Sequence, residues 1–216
     1  MTGELLSLHG RIRRGRFTRE IDLDVEAGHT VLVTGPNGVG KTTLLHTIAG
    51  LTPLADGELS LRGRVVDDAD AIFEPPEHRH IGYVFQQPRL FGHLTVARNV
   101  AFGADRHLDR ATTRMVAATW LDAVDMAAFG DVHPDELSGG QAQRVALARA
   151  LASDPDVVLL DEPLSNVDAA TADDLRPMLA ELEQTVVWVT HDVDTTAVHA
   201  DRVIELWLSD HHEKAF

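Results

Sequence analysis

The stretch VTGPNGVGKTTLL, from Val33 to Leu45, sets three glycines and one lysine between an apolar run and an apolar helical pattern. Gly35-Pro-Asn-Gly-Val-Gly-Lys41-Thr42 matches G-x-x-x-x-G-K-[ST] in full. Glycines let the backbone curl so that successive N–H groups face phosphate oxygens. The N-terminus of the helix that follows adds the positive end of its dipole. In this reading Gly35, Pro36, Asn37, Gly38, Val39, Gly40, Lys41, Thr42 and Thr43 wrap a nucleoside triphosphate. Lys41 supplies a point charge to the β- and γ-phosphates, and the Thr42 hydroxyl suits Mg²⁺. The plain alternative is a Gly-rich turn with an exposed lysine. The strand before the loop and the helix after it count against that.

The neighbouring segments agree. TVLVT (30–34) is almost wholly apolar, as a buried parallel strand should be. Ile21, Leu23 and Val25 alternate with charged residues in IDLDVEAG, a half-buried strand ending in a turn at Gly28. Helix-forming residues run from Lys41, and Gly50 with Pro53 beyond it stops them. ELSLRGRVV (58–66) reads as a strand pair bent at Gly63. IGYVF (81–85), VVLL (157–160) and TVVWVT (185–190) read as short strands, and RVIELWL (202–208) is placed to close the sheet. From about Gln87 to Glu136 the character turns helical, with Ala117, Leu121, Val124 and Ala128 at helical spacing and Trp120 beside them. Leu175, Met178, Leu179 and Leu182 mark one face of a further helix, whose start Pro177 is expected to distort. Strands alternating with helices predict an α/β fold with a parallel sheet.

The chain's 216 residues suffice for one substantial core. Its formal net charge of −15, from 34 acidic and 19 basic residues, disfavours nucleic acid and anionic lipid, though a local basic site still binds an anion. There is no cysteine, which excludes disulfides and thiolate metal sites. No run approaches the ~18 apolar residues of a membrane span. The opening MTGELLSLHGRIRRGRF lacks the layout of a signal peptide. The expectation is a cytoplasmic protein whose membrane connection runs through a partner.

A phosphate loop needs a second carboxylate site for its metal, and VVLLDEP (157–163) supplies one. An acidic residue leaving a buried strand points into the crevice where phosphates sit. Asp161 is assigned to Mg²⁺, and Glu162 to polarising the attacking water as general base. In LSGGQ (137–141), Ser138 and Gln141 stand at capping-box spacing ahead of AQRVALARAL. A well-capped helix explains that much. Two glycines directly after the cap serve no capping need, and glycine there costs up to ~1 kcal/mol. Their use is close backbone approach to an anion at a helix end. Leu137, Ser138, Gly139, Gly140 and Gln141 then form a second phosphate-binding helix end. A single chain cannot easily place both ends on one nucleotide, so a second copy is implied.

The order GPNGVGKT, YVFQQ, LSGGQ, LLDEP, SNVD and VTHD resembles the ATP-binding cassette (ABC) ATPases over essentially the whole chain. The resemblance implies a P-loop NTPase (RecA-like) core with a parallel sheet, an antiparallel β subdomain and a helical subdomain. It implies a single domain over 1–216, with 1–86 and 152–216 as the catalytic core with its β subdomain and about 87–151 as the helical subdomain. It further implies a head-to-tail homodimer that sandwiches two ATP molecules, with Mg²⁺, between the loop of one copy and the LSGGQ of the other. Gln86 matches the glutamine that senses the γ-phosphate and metal, so that Thr42, Gln86 and Asp161 form the metal set. Asp168, in SNVD, matches the residue that bridges the dimer. His191, in VTHD, matches the histidine that contacts the γ-phosphate beside Glu162, which leaves Lys41, Glu162 and His191 as the catalytic candidates. The implied partners are two transmembrane permease subunits at the cytoplasmic face of the cell membrane and, through them, a secreted substrate-binding protein, with no nucleic acid.

Within the family, residues 63–103 resemble the molybdate-importer ATPases, with sulfate and thiamine importers close behind. The likeness lies in DDADAIFEPPEHR (Asp67–Arg79) and the short arm before Phe17, and it makes a small oxyanion such as molybdate the expected cargo. Many molybdate ATPases carry a further carboxy-terminal β-domain; with Phe216 as the last residue, its absence is expected. Several residues keep two readings. Phe17 either stacks on adenine or packs as a strand residue, and Arg13, Arg14 and Arg16 make a basic rim or a solvated face. Leu90, Phe91 and Leu94 either rim the permease contact or pack into the helical insert. His211 and His212 are surface residues or a weak metal tail. An exporter motor, a soluble cassette of the DNA-repair or translation kind, and a binding module without catalysis are the competing functions. The length and acidity weigh against the second, and intact Lys41, Asp161, Glu162 and His191 against the third.

Overall fold

A computed structural model describes residues 3–104, 107–165, 167–191 and 200–207. Among them the strands form two sheets. β1 (Glu4–Arg14) and β2 (Phe17–Glu26) make an antiparallel hairpin in which Arg14 faces Phe17. β4 (Asp56–Leu61) and β5 (Arg64–Asp67) extend it to the order β2-β1-β4-β5. Alternation gives this sheet one buried face, carried by Leu6, Leu8, Ile12, Ile21, Leu23, Val25 and Leu59.

The second sheet is parallel, of order β6-β7-β8-β3-β9. Its strands are β3 (Thr30–Thr34), β6 (Ile81–Val84), β7 (Val157–Asp161), β8 (Thr185–Val189) and β9 (Arg202–Glu205). The central β7, β8 and β3 are buried at every position, which is why their sequences are continuous rather than alternating. β9 closes the edge against β3, as expected; Leu208 lies outside the described residues.

α1 (Lys41–Ile48) is clamped between the sheets. Its Leu44, Leu45 and Ile48 join Leu6, Leu8 and Leu23 from one sheet and Val31, Leu159 and Val187 from the other in a single cluster. On the far face of the parallel sheet, α4 (Gly139–Leu151) and α5 (Ala169–Ala180) bury Leu147, Leu151, Leu175 and Leu179 against Leu32, Leu160 and Trp188. α2 (Val96–Gly103) and α3 (Arg110–Ala123) pack on α4 through Val100, Leu121 and Val145. α4 therefore belongs to both clusters and ties the helical part to the sheet. The fold is the P-loop NTPase arrangement expected from the sequence.

Two local expectations are corrected. The helical spacing traced through Ala128 breaks earlier: α3 ends at Ala123, and Asp125 turns into the left-handed region at φ 57. Aspartate tolerates that conformation better than most side chains. Ala128 is exposed in a short 3₁₀ turn, and Met126 takes the buried place. Pro177 lies in the last turn of α5, not at its start, which Asp168 caps. The helix ends soon after, with the Glu181 N–H still reaching the Pro177 carbonyl at 3.0 Å.

The DDADAIFEPPEHR stretch finds a packing explanation. The Arg79 guanidinium is buried and donates to the carbonyls of Glu74 (2.7 Å), Thr47 (2.9 Å) and Ile48 (3.0 Å). It thus serves the Ile48 carbonyl at the end of α1 and shares the Thr47 carbonyl with the Gly50 N–H. Asp67, also buried, lies 3.8 Å from the same guanidinium and accepts from the Leu54 N–H at 2.9 Å. Gly50, at φ +76, makes room, because a Cβ there would sit 2.6 Å from Arg79 Nε. Arg79→Met leaves the buried Asp67 carboxylate without its cation and the Ile48 carbonyl without its donor. It should lower the unfolding free energy by about 3–5 kcal/mol in urea denaturation, and a loss within about 0.5 kcal/mol would contradict this account.

Candidate functional site

The loop after β3 and the ends of β7 and β8 meet at the carboxyl edge of the parallel sheet, where open α/β sheets bind ligands. A cleft of about 720 Å³ opens there. Its walls are Arg14 and Phe17 from the hairpin, Gly35 to Gly38 and Gly40 to Thr43 from the loop, and Gln86, Glu162 and His191. Gly35, at φ +135, runs so close to the Leu206 carbonyl that a Cβ would lie 2.2 Å from its oxygen. Gly40, at φ +103, begins α1, and a Cβ there would lie 2.7 Å from the Phe17 ring. Val39 points away and is buried in the core. The first N–H groups of α1 have no acceptor within the helix.

Lys41 is only 6% exposed, and its Nζ donates to the carbonyls of Gly35 (2.7 Å) and Pro36 (3.2 Å). Carbonyl dipoles alone do not neutralise a buried ammonium, and the Asp161 carboxylate lies close enough to feel its charge. Thr42 Oγ1 donates to Asp161 Oδ1 at 3.2 Å. Burial pushes the Asp161 carboxyl up, against the opposing pull of the Thr42 hydrogen bond. A nearby cation relieves that strain, and the oxygens of Thr42, Asp161 and Gln86 are the hard donors that Mg²⁺ takes.

Glu162 has φ +48, which is rare for a side chain of its size, and its N–H donates to the Val189 carbonyl at 2.9 Å. Such conformations cost of order 1–3 kcal/mol and cluster at functional sites. Gln86 Nε2 donates to Glu162 Oε2 at 3.3 Å, and His191 Nδ1 lies 3.5 Å from the same oxygen. Gln86 and His191, which follow two other strands, thus converge on the carboxylate of Glu162.

The LSGGQ segment lies apart; among the described residues none of Leu137 to Gln141 lines the cleft. Its capping box is formed in both directions. Ser138 Oγ accepts from the Gln141 N–H (3.2 Å), and Gln141 Oε1 accepts from the Ser138 N–H (2.9 Å). Ser138 and Gly139 are exposed, whereas Gly140 is buried. A Cβ on Gly140 would lie 3.1 Å from Thr171 Cγ2, so this glycine has a packing reason besides anion approach. Asp168 accepts from the Thr171 N–H (3.0 Å) and hydroxyl (2.9 Å), and the backbone hydrogen bond holds its carboxyl below the usual range. Asn166 of SNVD, and His211 and His212, lie outside the described residues.

A family model described as ABC transporter matches residues 18–165. The chain belongs to the ABC transporter family. It is 45% identical over 197 residues to the molybdenum import ATP-binding protein ModC of Mycobacterium tuberculosis, covering 87% of this chain and 53% of that protein. It is 43% identical over 191 residues to the sulfate/thiosulfate import ATP-binding protein CysA of Thermosynechococcus vestitus, covering 86% and 55%. The chain spans about half the length of the curated relatives it matches. A dimeric ATP-binding cassette in a post-hydrolysis state, bound to ADP and Pi, has the same fold at a TM-score of 0.80 and 30% identity, covering 94% of this chain and 96% of that one.

Against the ABC pattern, two features stand out. Leu90, Phe91 and Leu94 are half-buried, and Phe91 packs on Phe102 (4.7 Å between centroids) and under Arg149 (5.3 Å). Leu90 packs on the helical cluster and Phe91 on Phe102, whose own ring is exposed and carried no signal in the sequence. Tyr83 was also missed. Its hydroxyl donates to Asp161 Oδ2 at 3.4 Å, and burial raises its pKa, so it stays a donor. An aromatic in a strand reads as core, so only its place in YVFQQ pointed toward the site. Lys41→Ala should weaken nucleotide binding about a hundredfold in titration calorimetry, the equivalent of a lost charge-assisted contact. Unchanged affinity would contradict the phosphate role.

Proposed function

We propose that this chain is the ATP-hydrolysing subunit of an ABC importer and acts as a head-to-tail homodimer with two ATP molecules at the interface. The observation that carries this reading is the convergence of Lys41, Thr42, Glu162, Gln86 and His191 on one cleft, with Asp161 bonded to Thr42 behind it, while the LSGGQ helix end lies outside the cleft with Ser138 and Gly139 exposed. The loop N–H groups and Lys41 bind the phosphates, and Phe17 walls the adenine side. Thr42, Asp161 and Gln86 would hold Mg²⁺, which when bound neutralises charge on the β- and γ-phosphates. Glu162 takes the proton of the water that attacks the γ-phosphorus as the bond to ADP breaks. His191 and Gln86 hold the Glu162 carboxylate from two sides and sit where the γ-phosphate ends. Leu137 to Gln141 of a second copy close the site, with Asp168 beside the joint.

In this reading residues about 87–151 form the helical subdomain, on which two permease subunits dock, and 1–86 and 152–216 form the catalytic core. The subunit then works at the cytoplasmic face of the membrane; no described helix is long and apolar enough to cross one. A secreted binding protein delivers the cargo. The 45% identity to a molybdenum import protein supports an oxyanion such as molybdate. The sulfate/thiosulfate relative at 43% makes sulfate the nearest alternative. The Asp67–Arg79 stretch adds little, because packing explains its two buried residues.

Glu162→Gln should bind ATP, turn it over at least about a hundredfold more slowly, and accumulate as a dimer in gel filtration. Hydrolysis at the parent rate would remove Glu162 from the base role. In lipid vesicles with the neighbouring permease and binding protein, molybdate should stimulate ATP turnover; no response to any oxyanion would reject that cargo.

A further inference from the structure

Tyr83 stands on β6 in parallel register with Leu159 of the neighbouring β7. Its side chain reaches forward along the sheet, and its hydroxyl donates to Asp161 Oδ2 at 3.4 Å. Thr42 donates to the other oxygen, Oδ1, at 3.2 Å. The Asp161 carboxylate is thus held at both oxygens by two separate elements. It cannot rotate without losing one of the bonds. The tyrosine ring is itself fixed. It lies on Phe85, at 4.0 Å between centroids and 30° between planes, and meets the edge of His46 on α1 at 5.9 Å and 74°. Phe85 immediately precedes Gln86, so the same stack holds the strand end that carries the glutamine. A phenylalanine would fill this space equally well; only the contact with Asp161 uses the hydroxyl.

We propose that Tyr83 is a positioning residue that orients the Asp161 carboxylate toward the metal of the bound nucleotide. The assignment rests on the proposed function, in which Asp161 is a metal residue. Outer-shell partners of this kind typically change metal affinity 10–100-fold when removed. They leave metal-free ligand binding alone, because they touch neither the phosphates nor the base.

The test compares Glu162→Gln with Glu162→Gln carrying Tyr83→Phe. ATP affinity is measured without metal by titration calorimetry, and Mn²⁺ affinity of the ATP-loaded protein by electron paramagnetic resonance. Metal-free ATP affinity should agree within about twofold, while the Mn²⁺ dissociation constant should rise about tenfold in the Tyr83→Phe protein. Equal Mn²⁺ affinity in the two proteins overturns the positioning role and leaves the function reading intact. A lowered melting temperature together with weakened metal-free ATP binding marks a packing role and overturns it as well. If the protein retaining Tyr83 binds ATP but no Mn²⁺, Asp161 is not a metal residue and both readings fall.

Discussion

The structure depends on a buried ammonium at the start of a helix. Lys41 is 6% exposed and held by two carbonyls of its own loop. Keeping that charge out of water is costly unless other dipoles and an anion meet it. Bringing the dipoles round requires Gly35 and Gly40 in backbone conformations that a side chain would block, one against Leu206 and the other against Phe17. Holding the helix still requires apolar contact with both sheets, and the Arg79 guanidinium on the carbonyls at its far end. α1 is therefore closed at one end and open at the other, and the open end is the cleft.

The packing around that end joins elements that are distant in sequence. Gln86 and His191 reach the same oxygen of Glu162 from the ends of different strands. Behind Glu162 the chain runs to Asp168, which caps α5 through Thr171. Thr171 in turn packs against Gly140 at the start of α4, and Arg144 on α4 donates to Asp174 on α5 at 2.9 Å. The exposed LSGGQ end and the Asp168 turn are thus joined by contacts between the starts of α4 and α5.

Most of the fold was legible in the sequence because it follows local rules. Continuous apolar runs gave the buried parallel strands, alternation gave the antiparallel hairpin, and Ser138 with Gln141 announced the start of α4. Lys41, Thr42, Asp161 and Glu162 were legible from the loop pattern and a buried strand end, whereas Gln86 and His191 entered only through the family resemblance. What was not legible depends on partners brought from elsewhere. Gly140 answers to Thr171, Tyr83 to Asp161, and Arg79 to the end of α1, and no spacing within their own segments shows this. The left-handed turn at Asp125, which moved the buried place from Ala128 to Met126, was hidden because apolar periodicity carries no information about backbone φ.

In the proposed head-to-tail dimer each nucleotide site is built from two copies. Mixing two variants probes this: Lys41→Ala, which breaks the loop, and Ser138→Arg, which blocks the LSGGQ helix end. Each alone should hydrolyse almost no ATP. A mixed dimer contains one site with an intact loop and an intact LSGGQ, so the mixture should recover turnover well above the sum of the separate proteins. A mixture that stays at that sum would contradict the two-copy site.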